Sequence, residues 1–410
     1  MEGLKLFAPL FLVLAACSGG PQTLNVTLVD GLGEPLQPQA AAWRIGPSSG
    51  GSWAALPTGQ SSWSLPLLAN SRFQVAFRCP DVSGVQFYVS LDLRRSELGS
   101  LLRVRCPVAY ASPMAAVNGS VSPSLGSGTA FSARGAVSFT GWSFAGLTAP
   151  TGPGREVAVF GDSGGTPYFG RTGLVSLPAA VSVPVSPTNT LSLTTPPGFF
   201  SYAGLVLSTF VPVDLVPPGW TGTGSPHPVA RPSSLFGGDL FQFWTCHGWS
   251  CAILRKDAND PAVAPGASFS LSVPPLSLSG NQSHTPSALP TFSNIVSGGF
   301  SPGLSFLGYA LFLGEPGVRY WRHFLSAGVL GGATGYYVDV EQAPGFAGVV
   351  PSSGSSVQLR ATAFAGDQPL SALLAARPIP QETFAAHSLF LDRMWPVHLE
   401  AALLQSTFTW

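Results

Sequence analysis

The pair of runs SRFQVAFRC (residues 71–79) and VQFYVSLDL (85–93), separated by PDVSG (80–84), decides the fold class. In both, apolar and aromatic residues recur at every second position, which is the side-chain period of a strand. The intervening Pro, Asp, Ser and Gly are turn formers, so the whole reads as two strands joined by a tight connection. Runs of the same kind continue along the chain: TLNVTLVD, REVAVFG, AAVSVPV, LVLSTFVPVDL, ASFSLSVPPL, YYVDVE and SVQLRATAF. Helical spacing is nearly confined to ETFAAHSLFLDRM (382–394). The expected fold is all-β, a tandem series of β-sandwich modules.

Composition agrees with a folded chain of many turns. Of 410 residues 45% are hydrophobic, which argues against disorder, while 48 Gly and 39 Pro supply the breaks between strands. Charged residues are only 9% of the chain, and 19 basic side chains balance 19 acidic ones. Nucleic-acid binding draws on clustered basic residues that neutralise phosphates, and no such cluster exists here. RYWRHF (319–324), the densest candidate, alternates as a strand whose two arginines face opposite sides.

The N-terminal stretch MEGLKLFAPLFLVLAACSGG has a short polar start and an apolar segment from Leu6 to Ala16. That segment is shorter than the roughly 20 residues of a spanning helix and suits the apolar region of a secretory signal. Leu14-Ala15-Ala16-Cys17 resembles the lipobox of bacterial lipoproteins, and Ser18-Gly19-Gly20 resembles their flexible tether. The resemblance implies cleavage before Cys17, acylation of that residue and anchoring to a membrane lipid. The expected address is therefore extracytoplasmic, at a bacterial cell envelope, with residues 1–16 as signal peptide and 17–22 as lipidated tether.

Residues 23–108 form the first expected module. Their opening, LNVTLVDGLGEPLQPQAAAW, resembles a carboxypeptidase regulatory-like (transthyretin-like) β-sandwich: a strand, a D-x-x-G-x-P-L turn matched by Asp30, Gly33, Pro35 and Leu36, then a second strand. Further modules are expected at 115–190, 191–280 and 290–410, the last as one unit or two. The Pro- and Ser-rich stretches 109–128, 183–198 and 278–292 read as boundaries or surface loops. A partial repeat sets Trp63-Ser64-Leu65, Leu68 and Val75-Ala76-Phe77 beside Trp142-Ser143-Phe144, Leu147 and Val157-Ala158-Val159.

Besides Cys17 there are four cysteines. An oxidising compartment favours the pairs Cys79–Cys106 and Cys246–Cys251. The alternative takes Cys246, His247 and Cys251 as zinc ligands, which would need a fourth ligand and closer spacing. No metal or other cofactor is expected.

GDSGG (161–165) is nearly the string that carries the nucleophilic serine of chymotrypsin-like proteases. All six histidines follow Ser163 in the chain, which excludes the His-Asp-Ser and Asp-His-Ser orders. The remaining fit is G-x-S-x-G, which needs a helix directly after the serine, and TPYFGRTG does not provide one. Asp, Ser and Gly are also turn residues, so the expectation is a hairpin turn. Asp339 and Glu341 lie two apart on an expected strand, a separation loosely suited to paired catalytic carboxylates, but read as solvent-facing acids. KDANDP (256–261) lacks the pattern of a calcium loop. If a binding surface exists, Trp244, His247 and Trp249, held by the Cys246–Cys251 bridge, are its expected members. The functional expectation is a non-catalytic structural, adhesive or binding role toward an envelope protein or glycan. The alternative is an envelope-anchored hydrolase with its site in the C-terminal half.

Overall fold

The computed structural model describes residues 22–46, 51–106, 110–285, 288–333, 335–378 and 395–410. Cys17, the signal and most of the tether, and the helical pattern at 382–394 lie outside the described residues. The protein is all-β, 58% strand and 6% helix. No helix among the described residues is long and apolar enough to cross a membrane.

Among the described residues, 28 strands fall into four groups. The first holds β1 (Gln22–Val29), β2 (Ala40–Ile45), β3 (Ala54–Ala55), β4 (Ser62–Leu67), β5 (Arg72–Arg78), β6 (Gln86–Arg94) and β7 (Leu101–Arg105). The second holds β8 (Met114–Phe131), β9 (Ala136–Pro150), β10 (Gly152–Arg155), β11 (Ala158–Ser163), β12 (Thr166–Arg171), β13 (Val175–Leu177) and β14 (Val181–Pro187). The third comprises β15 (Asn189–Thr194), β16 (Phe200–Val206), β17 (Pro212–Thr221), β18 (His227–Arg231), β19 (Leu240–His247), β20 (Ser250–Asp257) and β21 (Ser268–Ser270). The fourth comprises β22 (Ser277–Thr285), β23 (Ala288–Ser297), β24 (Ser305–Glu315), β25 (Arg319–Ser326), β26 (Gly335–Tyr337), β27 (Ser356–Gly366) and β28 (Val397–Thr409).

In the first group β1 lies between β4, antiparallel, and β7, parallel. Its alternating Leu24, Val26 and Leu28 face Phe73, Val75 and Phe77 of β5 and Val89 and Leu91 of β6, so two layers close around one apolar core. The third group repeats the arrangement: β15 lies between antiparallel β18 and parallel β21, and β17-β16-β19-β20 takes the order of β3-β2-β5-β6. In the fourth group β25-β24-β27-β28 has that order again. There β23 pairs with β26, while antiparallel β22 takes the flanking place that a parallel strand fills elsewhere.

These units are not separate beads. Their four-stranded halves join edge to edge, through β20–β28 and β25–β6, into one 12-stranded sheet that draws on residues 40–94, 200–257 and 305–409. The second group does not join that sheet: it forms a five-stranded sheet, β11-β12-β14-β8-β9, built on the long β8–β9 hairpin, with β10 and β13 paired beside it. Its Phe131, Ala158 and Phe169 pack into the core under the 12-stranded sheet. The Pro- and Ser-rich stretches expected to be loops are largely strand: β8, β14, β15, β22 and β23 run through them. Ser and Thr tolerate a pleated surface well, and Pro is accepted where a ladder does not need its donor. The partial repeat also dissolves. Trp63 is buried on β4, whereas Trp142 is 70% exposed on β9, a strand of different place in its group.

Candidate binding cleft

The residues singled out in the sequence are not gathered into one site. Cys79–Cys106 and Cys246–Cys251 are both disulfides, with Cα–Cα distances of 5.7 and 4.1 Å. The sulfurs of Cys246 and Cys251 are thus engaged with each other rather than with a metal. Cys246 and Cys251 are directly opposite on β19 and β20, so the bridge pins the tip of that hairpin. Trp244 is only 6% exposed, packed on Tyr202 with ring centroids 5.3 Å apart. Strand alternation puts His247 on the other face, where it stacks on Phe199 at 4.7 Å, and Trp249 projects from the tip at 58% exposure. The three expected binding residues therefore point three ways, and Trp244 is a core residue.

Asp339 and Glu341 are not on a strand; Asp339 is buried and Glu341 half-buried. β26 ends at Tyr337, and Asp339 precedes a 3-10 turn, Val340–Gln342. The Asp339 carboxylate is buried against the Arg44 guanidinium, which it meets through both oxygens. Burial, and next the charge of Asp339, raises Glu341 to about 7. KDANDP closes a surface loop: Asp257 accepts the Asn259 amide, and Asp260 caps the short turn Pro261–Val263 while pairing with Lys256 at 3.3 Å.

Ser163 ends β11, and Gly164-Gly165 form the two-residue connection to β12. Both glycines have positive φ, 64° and 84°, as the favoured hairpin turns require, and Asp162 Oδ1 accepts the Gly165 amide at 3.0 Å. A strand follows the serine, so the strand–turn–helix geometry of a nucleophile elbow is not formed.

The hairpin nonetheless borders an open cleft of about 920 Å³. Its floor is the face of β8, β9 and β11 turned away from their group's own core, on which Phe160 is half-buried against the core under the 12-stranded sheet. Register places Phe160, Thr129 and Ser138 in one cross-strand row, and Asp162 opposite Ser127 and Pro167 in the next. Paired residues share a face, so these side chains line the same surface. Phe131 and Ala136 close one end, and Asp214 of β17 faces the floor from the 12-stranded sheet. The buried Tyr202 hydroxyl donates to Asp214 Oδ1 at 2.6 Å, which fixes that carboxylate. Burial, then the Asp214 charge, holds the Tyr202 hydroxyl well above its ordinary pKa, so it stays a donor. Asp162 and Asp214 have no ion-pair partner among the described residues, and the cleft lining holds no basic side chain. Arg134 lines a smaller adjoining cavity, its guanidinium 3.8 Å from the Tyr110 ring centre.

Sequence reading missed this cleft apart from GDSGG at its rim. Its residues are common strand residues drawn from four separated segments, and only register brings them together. No protein-family model matches the chain, and no curated protein matches its sequence.

Proposed function

We propose that this chain is an extracytoplasmic protein, anchored to a bacterial membrane through acylated Cys17, that binds a partner without catalysing its conversion. The cleft over β8, β9 and β11 carries the binding half of this reading: it is open, polar and apolar by turns, and within the size range of small-ligand sites. The sequence Leu14-Ala15-Ala16-Cys17 supports the anchor, and two disulfides are consistent with an oxidising compartment. The transthyretin-like reading of residues 23–108 belongs to the same proposal, as one module of an envelope scaffold.

The test is the intact mass of membrane-extracted protein beside a Cys17→Ala variant. The expected native mass is that of a chain beginning at acylated Cys17, and the variant loses the lipid mass. A native chain that retains residues 1–16 without acyl groups would overturn the anchor. Labelling of Ser163 by a fluorophosphonate, lost in Ser163→Ala, would overturn the non-catalytic half.

A further inference from the structure

We propose that the cleft over β8, β9 and β11 binds a neutral oligosaccharide. This deepens the binding role above and rests on it. A sugar ring offers an apolar C–H face and a rim of hydroxyls that both donate and accept. The floor supplies the complement: the Phe160 ring in one row with the Thr129 and Ser138 hydroxyls, and the Asp162 carboxylate opposite Ser127 in the next. Side chains opposite one another in such rows stand roughly 5 Å apart, close enough for one sugar unit to meet several of them. Aromatic faces take C–H surface, while hydroxyls and carboxylates fix orientation through hydrogen bonds. Asp214, held by Tyr202, adds an acceptor from the opposite wall.

Charge selects among sugars. Two carboxylates and no cation line the cleft, so uronic, sialic or phosphorylated sugars would meet like charge. The opening of about 920 Å³ lies within the roughly 300–1,000 Å³ typical of ligand sites, and its open side admits a chain rather than a single enclosed unit.

Calorimetric titration of the full chain with cellotetraose, the tetramer of N-acetylglucosamine and tetragalacturonate tests the proposal. The expected result is saturable binding of a neutral tetramer, weaker by about tenfold or more in Phe160→Ala. Ser138→Tyr adds a ring on an exposed position, and is expected to abolish binding with an unchanged melting temperature. Tetragalacturonate is expected to bind about tenfold more weakly than the neutral tetramer, the gap narrowing in Asp162→Asn. No saturation by either neutral tetramer up to about 10 mM overturns the proposal, as does equal or tighter binding of tetragalacturonate, or binding unchanged in Ser138→Tyr. The titration is independent of the mass measurement. An acylated chain that ignores sugar defeats only the glycan, and an unacylated chain that binds sugar defeats only the anchor.

Discussion

Gly165 and Glu341 show how single residues carry the local chemistry. Gly165 has φ of 84°, where a side chain would crowd the backbone, and its amide closes the Asp162 turn. Gly165→Ala is expected to destabilise the protein by about 1 kcal/mol, whereas Ser163→Ala is expected to be neutral, both read from urea midpoints. Glu341 behaves in the opposite sense to an ion-paired acid. Its folded-state pKa of about 7 lies above the unfolded value, so the folded protein binds more protons between pH 4.5 and 7. Stability is therefore lost as pH rises through that window. Glu341→Gln is expected to flatten this slope and to stabilise the protein at pH 8 by about 1–2 kcal/mol, after screening by the water that still reaches the group. An unchanged pH profile would refute the assignment.

At the scale of elements, polar rows cross the sheet where strands from distant parts of the chain meet. Arg44, Gln74 and Asp92 are consecutive register partners on β2, β5 and β6. Arg44 Nε donates to Gln74 at 2.6 Å, Gln74 Nε2 donates to Asp92 at 2.7 Å, and Arg72 also pairs with Asp92. Asp339 completes the row from the segment after β26, covering the outer face of that sheet. At the parallel joint of β6 and β25, Ser90 accepts the Trp321 indole N–H at 2.8 Å and contacts His323 Nδ1 at 2.9 Å. Burial, with a smaller contribution from Arg72, lowers His323 to about 3. The folded state then holds neutral imidazole while the unfolded chain takes a proton below about pH 6.5. This contribution to stability is full above pH 6.5 and falls as pH drops toward 3, by about 2 kcal/mol between pH 7 and 5. His323→Gln is expected to remove that increment from the acid sensitivity, measured as the difference between wild-type and variant urea midpoints at the two pH values. The sheet edges are guarded too: β3 is two residues long, and β17 begins at Pro212.

At the scale of the whole molecule, the 12-stranded sheet ties three strand groups together while the β8–β14 group keeps its own apolar core. The two disulfides differ in the span they close, 27 residues for Cys79–Cys106 and 5 for Cys246–Cys251. Loop-closure entropy assigns about 3.5 kcal/mol to the first and about 2 kcal/mol to the second. The paired variant Cys79→Ala/Cys106→Ala is accordingly expected to lower stability more than Cys246→Ala/Cys251→Ala, with the melting temperature as readout. The reverse order would mean that native packing, not chain constraint, sets their worth.

Much of this was legible from residues alone, for a physical reason. Side-chain period, turn formers and cysteine usage are local properties, so SRFQVAFRC and VQFYVSLDL announced β5 and β6, and the four cysteines beyond Cys17 pointed to disulfides. The same locality explains the misreadings. YYVDVE has the period of a strand, yet Arg44, some 295 residues away, supplies the charge that lets Asp339 sit buried in a turn. Trp244 and Trp249 look alike in sequence, and only strand packing and the hairpin tip make one core and the other surface. The sequence by itself determined an all-β chain and its turns, and favoured the pairing of its cysteines that the structure shows. Tertiary structure alone decided that three four-stranded halves share one sheet, and that Ser127, Thr129, Ser138, Phe160, Asp162 and Asp214 meet in one cleft. Strand register and edge pairing join segments far apart in the chain, and neither leaves a mark in the local pattern of any one of them.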